Sequence, residues 1–474
     1  MIPTIGLEVH AQLRTSSKIF CGCSAQFGAE PNTHVCPVCL GLPGALPVLN
    51  IRAVEFAIRA ALAFGCAIHP VSRFSRKHYF YPDLPKGYQI SQYDEPLATG
   101  GAVTVETDAG LRAVELVRIH IEEDAGKSIH LEDADTGVDF NRSGVGLIEI
   151  VTTPQIDSPS LAAACFSRIR DVLVALGVSD GNMEEGSLRC DANVSIRPGV
   201  DAPLGVKTEV KNINSFRFVQ RAIEFEIARQ TAVAASGVTV TPETRLWDPG
   251  TGRTVSMRTK EGAQDYRYFP EPDLLPLTVS AEWITRIEAT MPEMPEVRRE
   301  RFVREYGLPP YDAGVLTQSL ALADYFEATA AACGNPKAAS NWIMGEALGR
   351  LNAAGMTIGQ LRITPDALAR LIRLAESGRI TGPTAKDVFE QMFVEGGDAE
   401  AIVAAGGLAR VDDDGAIESI VRDTLEKHPV PVEQYRAGKR QALGFLVGQV
   451  MKASGGRTDP AKASAAIRRI LDSE

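Results

Sequence analysis

Leu188-Arg189-Cys190-Asp191-Ala192-Asn193-Val194-Ser195-Ile196 alternates along its whole length. Its even positions are apolar or small, and its odd positions are Arg189, Asp191, Asn193 and Ser195. Successive side chains of a strand point to opposite faces, so the stretch reads as a strand with one dry face and one charged face. The pattern recurs on either side. Residues 206–211 set Lys207, Glu209 and Lys211 on one face, and residues 116–124 group Arg118, His120, Glu122 and Asp124, with Glu123 at the strand's end. Ile5-Gly6-Leu7-Glu8-Val9-His10 places an acid and an imidazole two residues apart, hence on one side. Glu149 stands alone inside Gly146-Leu147-Ile148-Glu149-Ile150-Val151, where its neighbours demand burial.

An amphipathic sheet with one wet face would explain any single strand of this kind. Composition tilts the reading, because acids have low strand propensity, and yet Glu8, Glu122, Glu123, Glu149, Asp191 and Glu209 accumulate here. If they converge, their repulsion requires a counter-charge, for which Mg²⁺ with its preference for oxygen ligands is suited. Such a cage commonly holds nucleotide phosphates, and Arg76, Lys77, Lys86, Arg189, Lys207 and Lys211 are cations able to neutralise phosphoryl oxygens during transfer. A P-loop is excluded: Gly126-Lys127-Ser128 has the right ending, but the upstream glycine would fall at Ile121. No strand is followed by a Rossmann glycine fingerprint. ATP, if used, must bind the metal-rich sheet face.

Cys21-x-Cys23 and Cys36-x-x-Cys39 have the count and clustering of a closed tetrahedral Zn²⁺ site, with a structural role. Eight cysteines in 474 residues do not make a disulfide framework. Cys66, Cys165, Cys190 and Cys333 read as small buried residues. The amino end lacks a basic segment followed by an apolar one, and no apolar run approaches bilayer length, so a cytoplasmic protein is expected. A net charge of −11 argues against a general polyanion binder. The charge is uneven: residues 393–426 hold nine acids against two arginines, whereas residues 430–474 hold eight Lys/Arg against four Asp/Glu. That basic end suits either a solvated helix face or a grip on nucleic acid.

Up to about residue 290 the pattern predicts an α+β domain of mainly antiparallel strands, with helices such as 51–64 and 160–176. Met291-Pro292-Glu293-Met294-Pro295 breaks it, and helical periodicity follows at 296–305, 318–331, 338–351 and 365–377. Gly396-Gly397 and Gly406-Gly407 mark a hinge region ahead of helices at 415–427, 435–453 and 459–471. The expected layout is a first domain over 1–292, a helical domain over 293–406 and a small helical tail over 407–474.

These stretches, together with Phe27-Gly28-Ala29-Glu30-Pro31-Asn32, Gly41-Leu42-Pro43-Gly44 and the run Tyr79-Phe80-Tyr81-Pro82-Asp83-Leu84-Pro85-Lys86-Gly87-Tyr88, closely resemble the GatB family of tRNA-dependent amidotransferase B subunits. Asp265-Tyr266-Arg267-Tyr268-Phe269-Pro270-Glu271-Pro272-Asp273 and Ala442-Leu443-Gly444-Phe445-Leu446-Val447-Gly448-Gln449-Val450-Met451 carry the resemblance towards the end of the chain. It implies a cradle resembling the glutamine synthetase fold, then an all-α domain and a YqeY-like tail. It also implies ATP-dependent amidation of mischarged Glu-tRNA(Gln) or Asp-tRNA(Asn) within a heterotrimer. An A subunit would release ammonia from glutamine or asparagine, and a small C subunit would clamp the assembly. By matching motif, Glu8, His10, Glu123, Asp191 and Glu209 would hold Mg²⁺ and phosphate, with Glu122, Glu149 and Lys211 beside them. Lys86 and Glu123 would gate an ammonia channel, and Lys77 and Arg189 would serve the chemistry. A free-standing amide ligase for small substrates and a non-catalytic zinc-containing tRNA-binding protein are the competing readings.

Overall fold

The computed structural model describes residues 1–473 except 108–109, 131–134, 260–266 and 412, so Asp265 and Tyr266 of the motif quoted above lie outside the described residues. The chain divides into two compact units, Met1–Pro292 and Glu293–Glu474.

The first unit is built on a ten-stranded mixed sheet. Its centre is the strand Ile2–Gln12, paired antiparallel with Gly146–Thr152 on one side and Leu188–Arg197 on the other. Gly110–Glu123 extends the sheet beyond Gly146–Thr152, and Thr208–Ile213, Glu243–Asp248 and Arg253–Thr259 extend it the other way. Thr208–Ile213 and Glu243–Asp248 run parallel. Parallel neighbours need a long crossover, here the helix Phe216–Ala235, whose first turn is capped by the Ser215 hydroxyl.

Directly opposed residues share a face. His10 lies opposite Glu149 and Arg189, Glu8 opposite Asp191, Glu149 opposite His120, and Asn193 opposite Glu209. All of these therefore belong to one side of the sheet. The other side carries Ile5, Leu7, Val9, Ala11, Ile148, Ile150, Ala192 and Val194, fully buried, against the helices Ile51–Ala63, Pro159–Ala175 and Phe216–Ala235. The alternation read from residues 188–196 therefore survives intact.

Two expectations shift. Lys207 precedes the strand, which opens at Thr208 opposite Val194, and its side chain is exposed rather than set beside Glu209. The single helix expected over 435–453 is two, Pro429–Arg436 and Ala442–Ala453, separated by a turn with Gly438 at φ +90°. A left-handed residue cannot continue a right-handed helix.

The second unit is helical. One core gathers Phe302, Phe326, Leu371, Phe389 and Met392, and another gathers Ile417, Val421, Leu446, Val450 and Ile467. Between the glycine pairs at 396–397 and 406–407 lies a further short helix, Ala399–Ala405, capped by Asp398. The helix beginning at Pro336–Trp342 passes through a π turn, Ile343–Ala347, into Leu348–Ala354. Among the described residues no helix is long and apolar enough to cross a membrane.

At the sheet edge, Glu226 is fully buried on the crossover helix. It accepts hydrogen bonds from Arg229 Nε at 2.9 Å and Nη2 at 2.6 Å, and from Gln230 Nε2 at 2.8 Å. Arg229 and Arg245 in turn reach Glu243 on the neighbouring strand at 3.1 and 2.8 Å. Removing one partner of a buried ion pair costs about 3–5 kcal/mol. Glu226→Ala is expected to lower the urea midpoint of the first unit accordingly, and Glu226→Gln less. An unchanged midpoint for the alanine variant would contradict this role.

Candidate active site

Four side chains from three strands meet on the polar face. His10 Nε2 lies 3.5 Å from Glu149 Oε2 and 3.7 Å from Glu122 Oε1. His120 Nε2 lies 3.3 Å from Glu149 Oε2 and 3.7 Å from Glu122 Oε2. Both glutamates and His120 are buried. Burial alone would raise the carboxyls, but bonding and charge from the imidazoles hold Glu122 below the usual carboxylate range and Glu149 well below it. Burial likewise opposes charge on the imidazoles, yet the two glutamates outweigh it, raising His10 and pushing His120 up to about 9. Arg118 Nε also donates to His120 Nδ1 at 3.3 Å, a bond that needs that nitrogen unprotonated. A ring protonated on Nε2 alone satisfies both neighbours, and the guanidinium opposes only a second proton, on Nδ1.

One donor atom from each of His10, Glu122 and Glu149 can be chosen so that all lie within 4.8 Å of one another. An imidazole nitrogen and two carboxylate oxygens at that spacing fit a divalent cation, with further positions left for water or phosphate. Ser91 Oγ donates to Glu122 Oε2 at 3.1 Å and orients it. Lys77 is raised despite its burial, first by Glu122, so its ammonium belongs to the field of this cluster.

The remaining acids of this face are already engaged. Glu8 accepts from Asn193 Nδ2 at 2.8 Å, and its carboxyl is raised by burial and by the Glu149 charge. Asp191 and Glu209 share the Lys211 ammonium at 2.6 and 2.9 Å, and Thr244 Oγ1 donates to Glu209 at 3.0 Å. Arg189 Nη2 donates to Asp124 Oδ2 at 2.7 Å, beside Gln12 Nε2 at 2.8 Å. Next to Arg189 and Asp191 opens a cavity of about 520 Å³, lined also by Phe27, Ile129, Met183 and Asn212.

Not every candidate gathers here. The Glu123 carboxylate pairs with Lys86 and accepts from Ile90 N at 2.8 Å, and the pair is almost wholly buried. Arg76 forks onto Glu271 at 2.7 and 2.8 Å and reaches Asp273 at 3.0 Å. His120, Ser91 and Asn193 complete the site without having been assigned a role. The alternation of Arg118, His120 and Glu122 did signal His120, but no sequence signal marks Ser91.

The four cysteines also converge, one sulfur from each lying within 4.8 Å of the others. Cys36 N donates to Cys39 Sγ at 3.1 Å, and the Cys36 and Cys39 sulfurs are 3.9 Å apart. Tetrahedral zinc with thiolate bonds of about 2.3 Å requires sulfurs about 3.8 Å apart, so the spacing fits. Cys39, hydrogen-bonded by Cys21 and facing the Lys18 charge, falls to about 4, whereas burial lifts Cys23 to about 11. Lys18 is itself fully buried and donates to His34 O at 2.7 Å and Phe140 O at 3.2 Å.

Residues 3–285 match the profile of the GatB/GatE catalytic domain, and residues 324–471 match that of the GatB domain. Three similar proteins each carry the name of the B subunit of aspartyl/glutamyl-tRNA(Asn/Gln) amidotransferase. The protein from Thermodesulfovibrio yellowstonii is 54% identical over 98% of both chains. That from Chlorobium phaeobacteroides is 53% identical over 99% of this chain and 98% of its own. That from Myxococcus xanthus is 53% identical over the same shares. With profile matches across both compact units and identity above half along nearly the whole length, the chain belongs to the GatB family.

Proposed function

We propose that this chain is the transamidating subunit of a tRNA-dependent amidotransferase, acting on Glu-tRNA(Gln), Asp-tRNA(Asn) or both. The observation that carries the reading is the His10–Glu122–Glu149 cluster, with Lys77, Arg189 and Lys211 on the same side of the sheet. A side-chain carboxylate is a poor acyl electrophile, because its leaving group would be oxide. A carboxylate oxygen of the tRNA-bound amino acid therefore attacks the γ-phosphorus of ATP, and the bond to the ADP oxygen breaks. Ammonia then attacks the acyl carbon, phosphate departs with the transferred oxygen, and the nitrogen loses a proton to give the amide.

His10, Glu122 and Glu149 would hold Mg²⁺, with Glu8, Asp191 and Glu209 in reserve on the same face. When bound, the cation draws charge from the phosphoryl oxygens. Lys77, Arg189 and Lys211 add positive charge around the transferring group. The cavity beside Arg189 and Asp191 offers apolar walls at Phe27, Ile129 and Met183 and amides at Asn212 and Gln12, suited to a nucleoside. The Lys86–Glu123 pair would pass neutral ammonia while excluding water that would hydrolyse the acyl phosphate. Cys21, Cys23, Cys36 and Cys39 would hold a structural Zn²⁺.

The wider reading is of a cytoplasmic heterotrimer. An A subunit supplies ammonia from glutamine, a C subunit clamps the complex, and a glutamine synthetase-like cradle over 1–292 takes the acceptor end. The helical domain over 293–406 and the YqeY-like tail over 407–474, basic from residue 430 onward, would hold the tRNA body. The cations of residues 430–474 support that last assignment.

Reconstituted with its partners, ATP, glutamine and each mischarged tRNA, the complex is expected to form Gln-tRNA or Asn-tRNA. Glu149→Gln should cut that rate by at least about 100-fold while tRNA affinity persists; retained activity would favour a non-catalytic tRNA-binding role. ATP turnover without tRNA would favour a free-standing ligase. Cys36→Ser is expected to abolish stoichiometric zinc and lower the melting temperature, which metal analysis and calorimetry would read.

A further inference from the structure

The cysteine knuckle and the Lys86–Glu123 pair share a wall. A cavity of about 210 Å³ is bounded by Cys21, Cys39 and Gly41 on one side and by Lys86 and Glu123 on the other. Gly41, two residues past Cys39, sits at φ +67°. A methyl group there would overlap Lys86 Cγ and come within 3.1 Å of Lys86 Cα. The bare backbone of the knuckle is therefore the seat on which the Lys86 stem lies. Gly144 lines the same cavity more loosely: a methyl group on it would lie at ordinary contact distance, 3.4 Å from Cys39 Cβ and 3.9 Å from Glu123 Oε2.

The link from sulfur to seat is short and stiff. Cys36 N donates to Cys39 Sγ at 3.1 Å, Leu40 N to Cys36 O at 3.0 Å, Gly41 N to Val38 O at 3.0 Å and Leu42 N to Pro37 O at 2.9 Å. Movement of Cys39 thus carries Gly41 with it. A lysine side chain has many rotamers to lose, so an ammonium held on one carboxylate needs its stem confined. Ser143 Oγ, which donates to Cys39 O at 3.3 Å, ties the knuckle to the loop running past Glu123.

We propose that the four-cysteine knuckle is a positioning element for the Lys86–Glu123 pair, pressing Gly41 against the lysine stem and so keeping the cavity sealed. The catalytic consequence rests on the reading of that pair as an ammonia gate, given above; the packing does not. Zinc held by the cysteines would set how firmly the seat is pressed.

Two measurements test it. In the full chain, reductive methylation followed peptide by peptide compares Lys86 with Lys337, which belongs to the second compact unit and pairs with Asp312. Stripping the zinc should speed Lys86 labelling by about tenfold and leave Lys337 almost unchanged; equal changes at both lysines would overturn the proposal. In the reconstituted complex, Gly41→Ala is compared with Gly44→Ala. Both glycines have positive φ, +67° and +87°, but Gly44 faces open space. Gly41→Ala should retain zinc and the KM for glutamine, yet form several-fold less amide per glutamine hydrolysed, while Gly44→Ala keeps the ratio near that of the unaltered chain. Lys86→Met separates the two readings. If it lowers the ratio and Gly41→Ala does not, the gate stands and the knuckle proposal falls. If it leaves the ratio unchanged, the gate reading falls, and the labelling result alone decides the positioning. Should Gly41→Ala fail to fold, the labelling comparison again decides.

Discussion

The register of Ile2–Gln12 between its two neighbours is the constraint on which the rest depends. Because side chains alternate with a period of two, a slip of one residue would exchange the faces. Glu8 and His10 would enter the helix-packed core, and Leu7 and Val9 would replace them on the polar side. Fully burying a side chain such as Leu or Val is worth about 1.5–3 kcal/mol, and the dry face of this strand alone carries Ile5, Leu7, Val9 and Ala11. The apolar face thus sets the register, and the polar face inherits it. The acids and imidazoles are brought together by packing on the side of the sheet they do not occupy.

That coupling explains why two carboxylates can lie buried near one another. Their mutual repulsion and loss of water are offset by His10 and His120, whose ring nitrogens approach to 3.3–3.7 Å. Arg118 fixes the His120 tautomer, since its donation to Nδ1 leaves the ring proton on Nε2, facing the glutamates. Buried ionic groups of this kind seldom add stability over apolar packing, so their placement is better explained by chemistry than by folding.

Much of this was legible in the sequence, for a physical reason. Residues 188–196 and 5–10 obey a period of two without interruption, so both the strands and their faces could be read directly, and the acids on those faces followed. Helices with long amphipathic patterns, such as Pro159–Ala175 and Pro365–Glu376, were read to within a residue or two. What failed was local punctuation. A seven-residue helix between glycine pairs is too short to show a period, and the turn at Gly438 is marked by a single glycine in the polar stretch Arg436-Ala437-Gly438-Lys439-Arg440. The direction of Glu123 was hidden because it closes a strand, where alternation no longer dictates orientation, and its lysine partner comes from a loop 37 residues away. Which of six acids would share two imidazoles depends on pairing across strands far apart in the chain, and no local pattern encodes that.

The central strand has a consequence for how the protein is made. Ile2–Gln12 leaves the ribosome well before its partners, Gly146–Thr152 and Leu188–Arg197. At elongation rates of about 5–20 residues per second, the second partner follows about 10–35 seconds later. Throughout that interval a hydrophobic segment with unsatisfied backbone groups is held open. Nascent-chain chaperones that shield such segments therefore have a natural client here, and this strand is where misassembly during synthesis would begin.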